Sequence, residues 1–389
     1  MPENNDFIPF HRPIVDEDDI QAVTDALRSG WITTGPKCGQ FAEEFAGYVG
    51  AEHALALNSC TAALHLALAA LDVKPGDEII TTPYTFAATS EVILYMNAKP
   101  VFIDVLSDNA NIDPDLIADA ITDRTVGIMP VHIAGVPCRM DEIMAIAREH
   151  GLWVVEDAAH AIETEWQGVK TGTWGDVGAY SFYPTKNITT GEGGMFVAKS
   201  KELLEKARVL ALHGLSKDAW KRYDKKGSWY YEIVEQGYKY NFTDIGAAMG
   251  LTQLRKIDRW WEIRRDHAVG YNAAFADHHA LITPPDVPDH AKNAWHLYPL
   301  RLKLDRLSID RSDFIEKLRE AGVGTSVHFI PLHLQPLYAK RLGHTPGDFP
   351  RAEAYFDADI SLPLYPGLTT EQREKIIESV VRIADANLK

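Results

Sequence analysis

From Asn58 to about Val197 the chain alternates short apolar runs with stretches of helical periodicity, and this alternation constrains the fold more than any other feature. Glu78–Thr82, Pro100–Val105, Val126–His132 and Leu152–Glu156 read as strands. Thr85–Asn97, Pro114–Ile121 and Met140–Glu149 read as the helices between them. Strands spaced by helices of that length need crossover connections, so an α/β fold with a mainly parallel sheet covered on both faces is expected. Ala54–Leu57, Gly178–Phe182 and Gly194–Ala198 add strands, and Leu203–Leu212 adds a helix. Pro83, Asp104 and Asp157 fall at the carboxyl ends of strands, where open α/β sheets bind ligands.

With 389 residues the chain is too long for one small core, and about two domains are expected. Residues 1–35 read as an N-terminal arm with a helix from Asp16 to Leu27, which carries Ile20, Val23 and Leu27 on one face and stops at Gly30. Residues 36–282 form the expected large α/β domain, and residues 283–389 a smaller α+β domain. The segment 213–241 is rich in aromatic and basic residues and reads as a long functional loop or hairpin. Long helices follow over 243–277, and then a linker, Pro284-Pro-Asp-Val-Pro288. Beyond it, His296–Leu304 and Gly324–Phe329 read as strands, Ser312–Ala321 and Thr370–Ala386 as helices.

Composition removes several function classes. A formal charge of −16 argues against nonspecific nucleic-acid binding, and an anionic substrate must then be drawn in by local cations. No stretch approaches the roughly 20 apolar residues of a membrane span, and the N-terminal Met-Pro-Glu-Asn-Asn-Asp lacks signal character, so a cytoplasmic location is expected. Cys38, Cys60 and Cys138 contain no CxxC pair and form no disulfide framework. No metal site is expected.

Against this frame, Asp157 in Val154-Val-Glu-Asp-Ala-Ala-His160 and Lys186 in Ser181-Phe-Tyr-Pro-Thr-Lys-Asn187 suit the binding of pyridoxal phosphate. A lysine amine condenses with the cofactor aldehyde, and a carboxylate paired with the pyridine nitrogen keeps the ring protonated and electron-accepting. Once displaced by an incoming amine, Lys186 is free to shuttle a proton between the substrate carbon and the cofactor.

The surrounding residues have two readings each. Ser59, Cys60 and Thr61 stand where a strand runs into a helix; free backbone N–H groups there suit a phosphate, although a plain N-cap explains the same residues. Phe86 is placed to stack on a pyridine ring or to fill core. Ser181 is a donor to the cofactor or a buried serine bonded to backbone, and His160 orients Asp157, covers the ring or is a satisfied core histidine. Gly191, Gly193 and Gly194 let the backbone turn after the lysine, without the Lys-Ser/Thr ending of a Walker-type loop.

With these residues in place, the sequence resembles the vitamin B6-dependent sugar aminotransferases, the DegT-like branch of the fold-type I enzymes. The similar segments run from Gly30-Trp-Ile-Thr-Thr-Gly-Pro36 to Ser361-Leu-Pro-Leu-Tyr-Pro366. They include Glu156–His160, Ser181–Asn187, Gly191–Gly194, Tyr238–Asp244 and His328–His333. The resemblance implies a large domain with a seven-stranded sheet and a homodimer with shared active sites. Asn241 would reach the partner's cofactor phosphate. One branch of the family replaces the lysine with histidine and performs dehydration; Lys186 excludes that reading.

Within the family, the motifs at 30–37, 59–62 and 294–297 are similar to those of enzymes that aminate C4 of UDP-linked 4-keto sugars, with L-glutamate as donor. His328 would face the sugar, with Thr33 in the substrate set, and Trp229, Tyr230 and Tyr231 would stack a uracil ring or pack an interface. Lys37, Arg222 and Lys239 are candidate cations for the diphosphate. Competing readings are a 3-keto, dTDP- or GDP-linked substrate and a cofactor-binding regulator without turnover. A nicotinamide-dependent dehydrogenase would need a G-x-G-x-x-G turn that the first strand lacks.

Overall fold

The computed structural model describes residues 7–216 and 231–389. Its first half consists of α1 (Glu17–Ser29), α2 (Pro36–Val49), β1 (His53–Leu57), α3 (Cys60–Ala70), β2 (Glu78–Thr81), α4 (Ala87–Tyr95), β3 (Lys99–Phe102), β4 (Thr125–Ile128), α5 (Met140–His150), β5 (Trp153–Asp157), β6 (Glu165–Trp166), β7 (Val169–Lys170), β8 (Val177–Ser181), β9 (Gly194–Ala198) and α6 (Lys201–Leu210). Then come α7 (Asp244–Leu254), α8 (Ile257–Phe275), β10 (Leu281–Ile282), β11 (Ala291–Lys292), β12 (Tyr298–Leu302), α9 (Arg311–Glu320), α10 (Pro336–Leu342), α11 (Pro350–Ala358), β13 (Asp359–Leu362) and α12 (Thr370–Ala386).

Seven strands form the main sheet in the order β1-β9-β8-β5-β4-β2-β3. Strands β3, β2, β4, β5 and β8 pair in parallel, while β9 runs antiparallel to both β8 and β1. Alternate side chains feed opposite layers, as strand geometry requires. Leu57, Val155, Ala179 and Phe196 pack with α3, whereas Ala56, Tyr180, Met195 and Val197 pack with α2 and α7. This mainly parallel sheet covered on both faces is the expected architecture. Around β12 and β13 a separate core gathers Tyr298, Leu300, Phe314, Ile360 and Val380. It also takes in Tyr271 and Phe275 from the end of α8, and Ile8 from the N-terminal arm.

Several elements depart from expectation. Pro114–Ile121 is two short 3-10 turns, Pro114–Leu116 and Ala118–Ala120, instead of one helix. Asp113 fixes a tight first turn by accepting from the Asp115 N–H at 3.1 Å. Gly324–Phe329 is not a strand, because its backbone is divided between two partners. Gly324 N–H bonds the Ile8 carbonyl, while Ser326 makes a single bridge to Ser361. β13 completes the small sheet instead.

α2 is not among the elements expected above; its N-cap, Gly35, has no side chain to bond the first turn. Its N-terminus is capped from a distance: the Asp244 carboxylate accepts from the N–H groups of Gly35 (2.9 Å), Lys37 (3.1 Å) and Cys38 (2.9 Å). The aromatic–basic segment does begin and end as a hairpin. Leu212 pairs antiparallel with Lys239, and Leu215 with Ile233.

Candidate active site

Asp157 is the last residue of β5 and sits buried at the floor of a cavity of about 580 Å³. Its neighbour Glu156 points to the other side of the strand. There it accepts from the N–H groups of Gly172 (2.7 Å), Trp174 (2.8 Å) and Gly175 (2.7 Å), and bonds His132 Nε2 at 3.0 Å. That network pins the strand end from which Asp157 projects. Asp157 Oδ2 accepts from Thr89 Oγ1 at 2.8 Å and Oδ1 from the Ala159 N–H at 3.1 Å. Thr89 is in turn bonded to Thr85 Oγ1 at 2.8 Å. Burial raises the Asp157 pKa, opposed by these two donors and by the nearby Lys186 charge.

Lys186 lies on the connection between β8 and β9 and lines the same cavity. The connection is closed at its base: Phe182 N–H bonds the Gly193 carbonyl at 2.9 Å, and Thr190 N–H bonds the Phe182 carbonyl at 3.0 Å. Among the described residues no hydrogen bond or ion pair holds the Lys186 amine. Burial pushes its pKa down from 10.5 to about 8, against the pull of Cys60 and Asp157. A lysine so placed is a competent nucleophile near neutral pH.

Ser59, Cys60, Thr61 and Ser181 line the cavity opposite, with His160, His328 and Phe86. Ser59 is the N-cap of α3, its Oγ accepting from Ala62 N–H at 3.1 Å. The cap and the phosphate cup are therefore compatible, since capping uses the hydroxyl oxygen and leaves the first-turn N–H groups of Cys60 and Thr61 at the helix start. Gly194 matters here, because a Cβ on it would overlap the backbone of Ser59 and Cys60. Phe86, at 62% exposure, stands over the cavity within 6.0 Å of the Phe329 ring. His160 stacks on Phe329 at 5.9 Å, and its Nδ1 accepts from the Ala134 N–H at 3.3 Å. His328 Nδ1 pairs with Ser361 Oγ at 2.9 Å.

Tyr231, Thr33, Lys37, Lys239 and Asn241 do not line this cavity. Thr33, Lys37, Lys239 and Asn241 gather where the 31–35 segment meets the start of α7. Thr33 accepts from Asp244 N–H, Asn241 Nδ2 donates to Thr34 Oγ1 at 2.8 Å, and Lys239 Nζ bonds Asn241 Oδ1. Asn241 and Thr34 border a different cavity of about 770 Å³ between α2, β1 and α6. That space is larger but contains neither Asp157 nor Lys186, so the chemistry belongs to the smaller one. Arg222, Trp229 and Tyr230 lie outside the described residues.

The cavity is also lined by residues to which the sequence assigns no role, His11 from the N-terminal arm, His296 and Phe329, while Thr89 backs Asp157 without lining it. Among the described residues His11 Nε2 is buried without a partner, and burial lowers the pKa of His11 to about 4. His296 lies inside the 294–297 motif, whose similarity marks only the subgroup.

Such a cavity fits pyridoxal phosphate by its donor set. It offers an unpaired amine, a buried carboxylate with acceptor capacity left after two hydrogen bonds, and a helix start free of side-chain bulk at Gly194. A profile of the DegT/DnrJ/EryC1/StrS aminotransferase family matches residues 13–381. The chain belongs to that family. It is 48% identical over 379 residues to the spore coat polysaccharide biosynthesis protein SpsC of Bacillus subtilis (strain 168), covering 97% of each chain. The putative sugar aminotransferase Spr1654 from Streptococcus pneumoniae superposes with a TM-score of 0.92 in its PMP form and 0.91 in its PLP form, at 34% identity. The alignment with the PMP form covers 97% of this chain and 99% of Spr1654. Helicobacter pylori PseC, an aminotransferase involved in the biosynthesis of pseudoaminic acid, superposes with a TM-score of 0.90 at 30% identity over 98% of this chain and 100% of PseC. This DegT-family protein is a pyridoxal phosphate-dependent sugar aminotransferase with the fold-type I architecture.

Proposed function

We propose that this aminotransferase moves an amino group from L-glutamate to C4 of a UDP-linked 4-keto sugar, in the cytoplasmic synthesis of an amino sugar for a bacterial glycan. The observation that carries the proposal is the shared cavity of Lys186 and Asp157, with the start of α3 at its rim. Motif similarity at 30–37, 59–62 and 294–297 supports the choice of sugar and nucleotide. Likeness to SpsC and PseC supports a role in glycan synthesis.

When bound, pyridoxal phosphate supplies a protonated ring that accepts the electron pair released at the substrate carbon. Asp157 holds the proton on the ring nitrogen, and Thr89 and the Ala159 N–H hold Asp157. The N–H groups of Cys60 and Thr61, with the Ser59 and Ser181 hydroxyls, bind the phosphate. Phe86 would cover the bound group from one side, and His160, whose Nδ1 is engaged as an acceptor, would offer it an Nε2 proton. The freed Lys186 amine moves the proton to and from the substrate carbon in both half-reactions. His328 faces the sugar, with Thr33, Lys37, Arg222, Trp229, Tyr230 and Lys239 binding nucleotide and diphosphate.

Thr33, Lys37, Lys239 and Asn241 lie off the Lys186 cavity of their own chain, which favours action across the interface of a homodimer. Asn241 would then reach the phosphate bound by the partner.

The test is turnover of L-glutamate with UDP-, dTDP- and GDP-linked 4-keto and 3-keto sugars, the amine position being read by NMR. C4 amination confined to, or fastest with, the UDP-linked 4-keto sugar is the expected result. Preference for another nucleotide or C3 amination would replace the substrate, and absence of any glutamate half-reaction would favour a regulatory role. A monomer by light scattering would remove the shared site.

A further inference from the structure

Asn187, beside Lys186, joins the active-site cavity to a buried charge pair. Arg264 of α8 is bonded to Glu163, and both are almost wholly buried. Glu163 Oε2 accepts from Asn187 Nδ2 at 2.5 Å, and a carboxylate paired with a guanidinium acts as an acceptor, which makes that group the amide nitrogen. The amide oxygen must then be the atom 2.9 Å from His296 Nδ1. An amide oxygen only accepts, so His296 is held with its proton on Nδ1 and a lone pair on Nε2. Burial and the adjacent Lys186 and His160 lower the His296 pKa, which keeps the ring neutral.

The neighbouring histidine is held in the opposite sense. His160 Nδ1 accepts from the Ala134 N–H, so its proton is on Nε2. The same residue, Ala134, accepts through its carbonyl from the His296 N–H at 3.1 Å. Ala134 adopts a left-handed backbone (φ 58°), and a Cβ on Gly135 would press on Ala294 and on the His296 nitrogen. One tight turn thus brackets both imidazoles, whose ring centres are 4.2 Å apart at an interplanar angle of 37°. That tilted stack leaves neither ring able to bond the other in its plane. Both rings line the cavity, one carrying a fixed donor and the other a fixed acceptor.

We propose that His296 is a specificity-determining residue whose Nε2 accepts a hydrogen bond from a sugar hydroxyl near the reacting carbonyl, and that Asn187 is the positioning residue that fixes this tautomer. The proposal rests on the nucleotide-sugar reading of the same site. A keto sugar presents hydroxyl donors beside its carbonyl, and a locked acceptor distinguishes such a substrate from a deoxygenated analogue. A site built for a hydroxyl rejects the analogue lacking it, because the buried acceptor is left unpaired. The Glu163–Arg264 pair sets the direction of the relay, because reversing the Asn187 amide would place its carbonyl against a carboxylate.

Two measurements test this. In protein labelled with ring-¹⁵N histidine, with His296→Gln supplying the assignment, the His296 signals of the wild type are expected to report a neutral ring protonated at Nδ1. Asn187→Leu is expected to produce a mixture of tautomers. A wild-type ring protonated at Nε2 would overturn the assignment without any substrate being added. In the second measurement, sugar KM and kcat are read with a UDP-linked 4-keto-6-deoxy sugar, or with the dTDP-linked one if the wild type turns over only that. His296→Asn, which keeps a donor toward Asn187 but empties the Nε2 position, is expected to raise the sugar KM about tenfold. His296→Gln, whose amide reaches the Nε2 position, is expected to recover most of that loss. Equal KM values for wild type, Asn and Gln variants would refute the contact. A wild type that rejects the UDP sugar but shows the KM pattern with the dTDP sugar would overturn only the nucleotide.

Discussion

Thr89 Oγ1 donates to Asp157 Oδ2 at 2.8 Å, so the carboxylate at the end of β5 is steered by the first turn of α4. Thr89→Val keeps the shape and removes the donor. The expected cost is about 1 kcal/mol in carboxylate stabilisation, the Asp157 pKa rising further and the glutamate half-reaction slowing by roughly fivefold. Stopped-flow rates and cofactor affinity measured on the same variant check this; unchanged values for both would show that the Ala159 N–H suffices.

Lys186 has its pKa at about 8, below the ordinary 10.5. Only the neutral amine adds to an aldehyde, so capture of pyridoxal phosphate by the apoprotein should rise about tenfold per pH unit below 8 and level off above it. The sign for stability follows. The fold disfavours the ammonium, so the apoprotein gains stability as pH rises from 8 toward 10.5, and the penalty is fully present below 8. A rate still climbing steeply at pH 10 would show that the amine is solvated. Lys186→Ala should reduce the glutamate half-reaction by at least about 10²-fold, read as the loss of the visible spectral change on adding L-glutamate.

Asp244 caps α2 although more than 200 residues separate them in sequence. Asp244→Ala leaves three N–H groups without their acceptor and is expected to destabilise the protein by about 2 kcal/mol. Chemical denaturation measures this, and Asp244→Asn should recover part of the loss.

Arg264 and Glu163 make a buried pair, and breaking it from one side leaves a charge without a partner. Arg264→Met is expected to cost about 3–5 kcal/mol, while Arg264→Met with Glu163→Gln should cost less than that single change. A double variant at least as destabilised as Arg264→Met would mean that shape, not charge, holds the site.

The sheet is legible in the sequence because several of its strands are continuous apolar runs, such as Leu152–Val155 and Gly194–Ala198, each punctuated by loop residues. Asp157 and Lys186 were legible for a related reason, as polar residues at the ends of such runs. β13 was not, since a strand opening on Asp359 and followed by Pro363 carries little periodicity, and only pairing with β12 makes it one. His11, Thr89 and His296 were equally hidden. Each is an ordinary residue locally, and only the topology brings the three to Asp157 and Lys186.

The closed connection between β8 and β9 has a consequence for repeated use. Its base is hydrogen-bonded and both flanking strands are buried, so the part of Lys186 left to move is its own four-carbon stem. Detaching from the cofactor and returning to it then displaces a side chain, with the backbone serving as a fixed pivot. A catalyst whose lysine must release the same group once and recapture it once in each cycle would gain from such an anchor, because every return would begin from the same place.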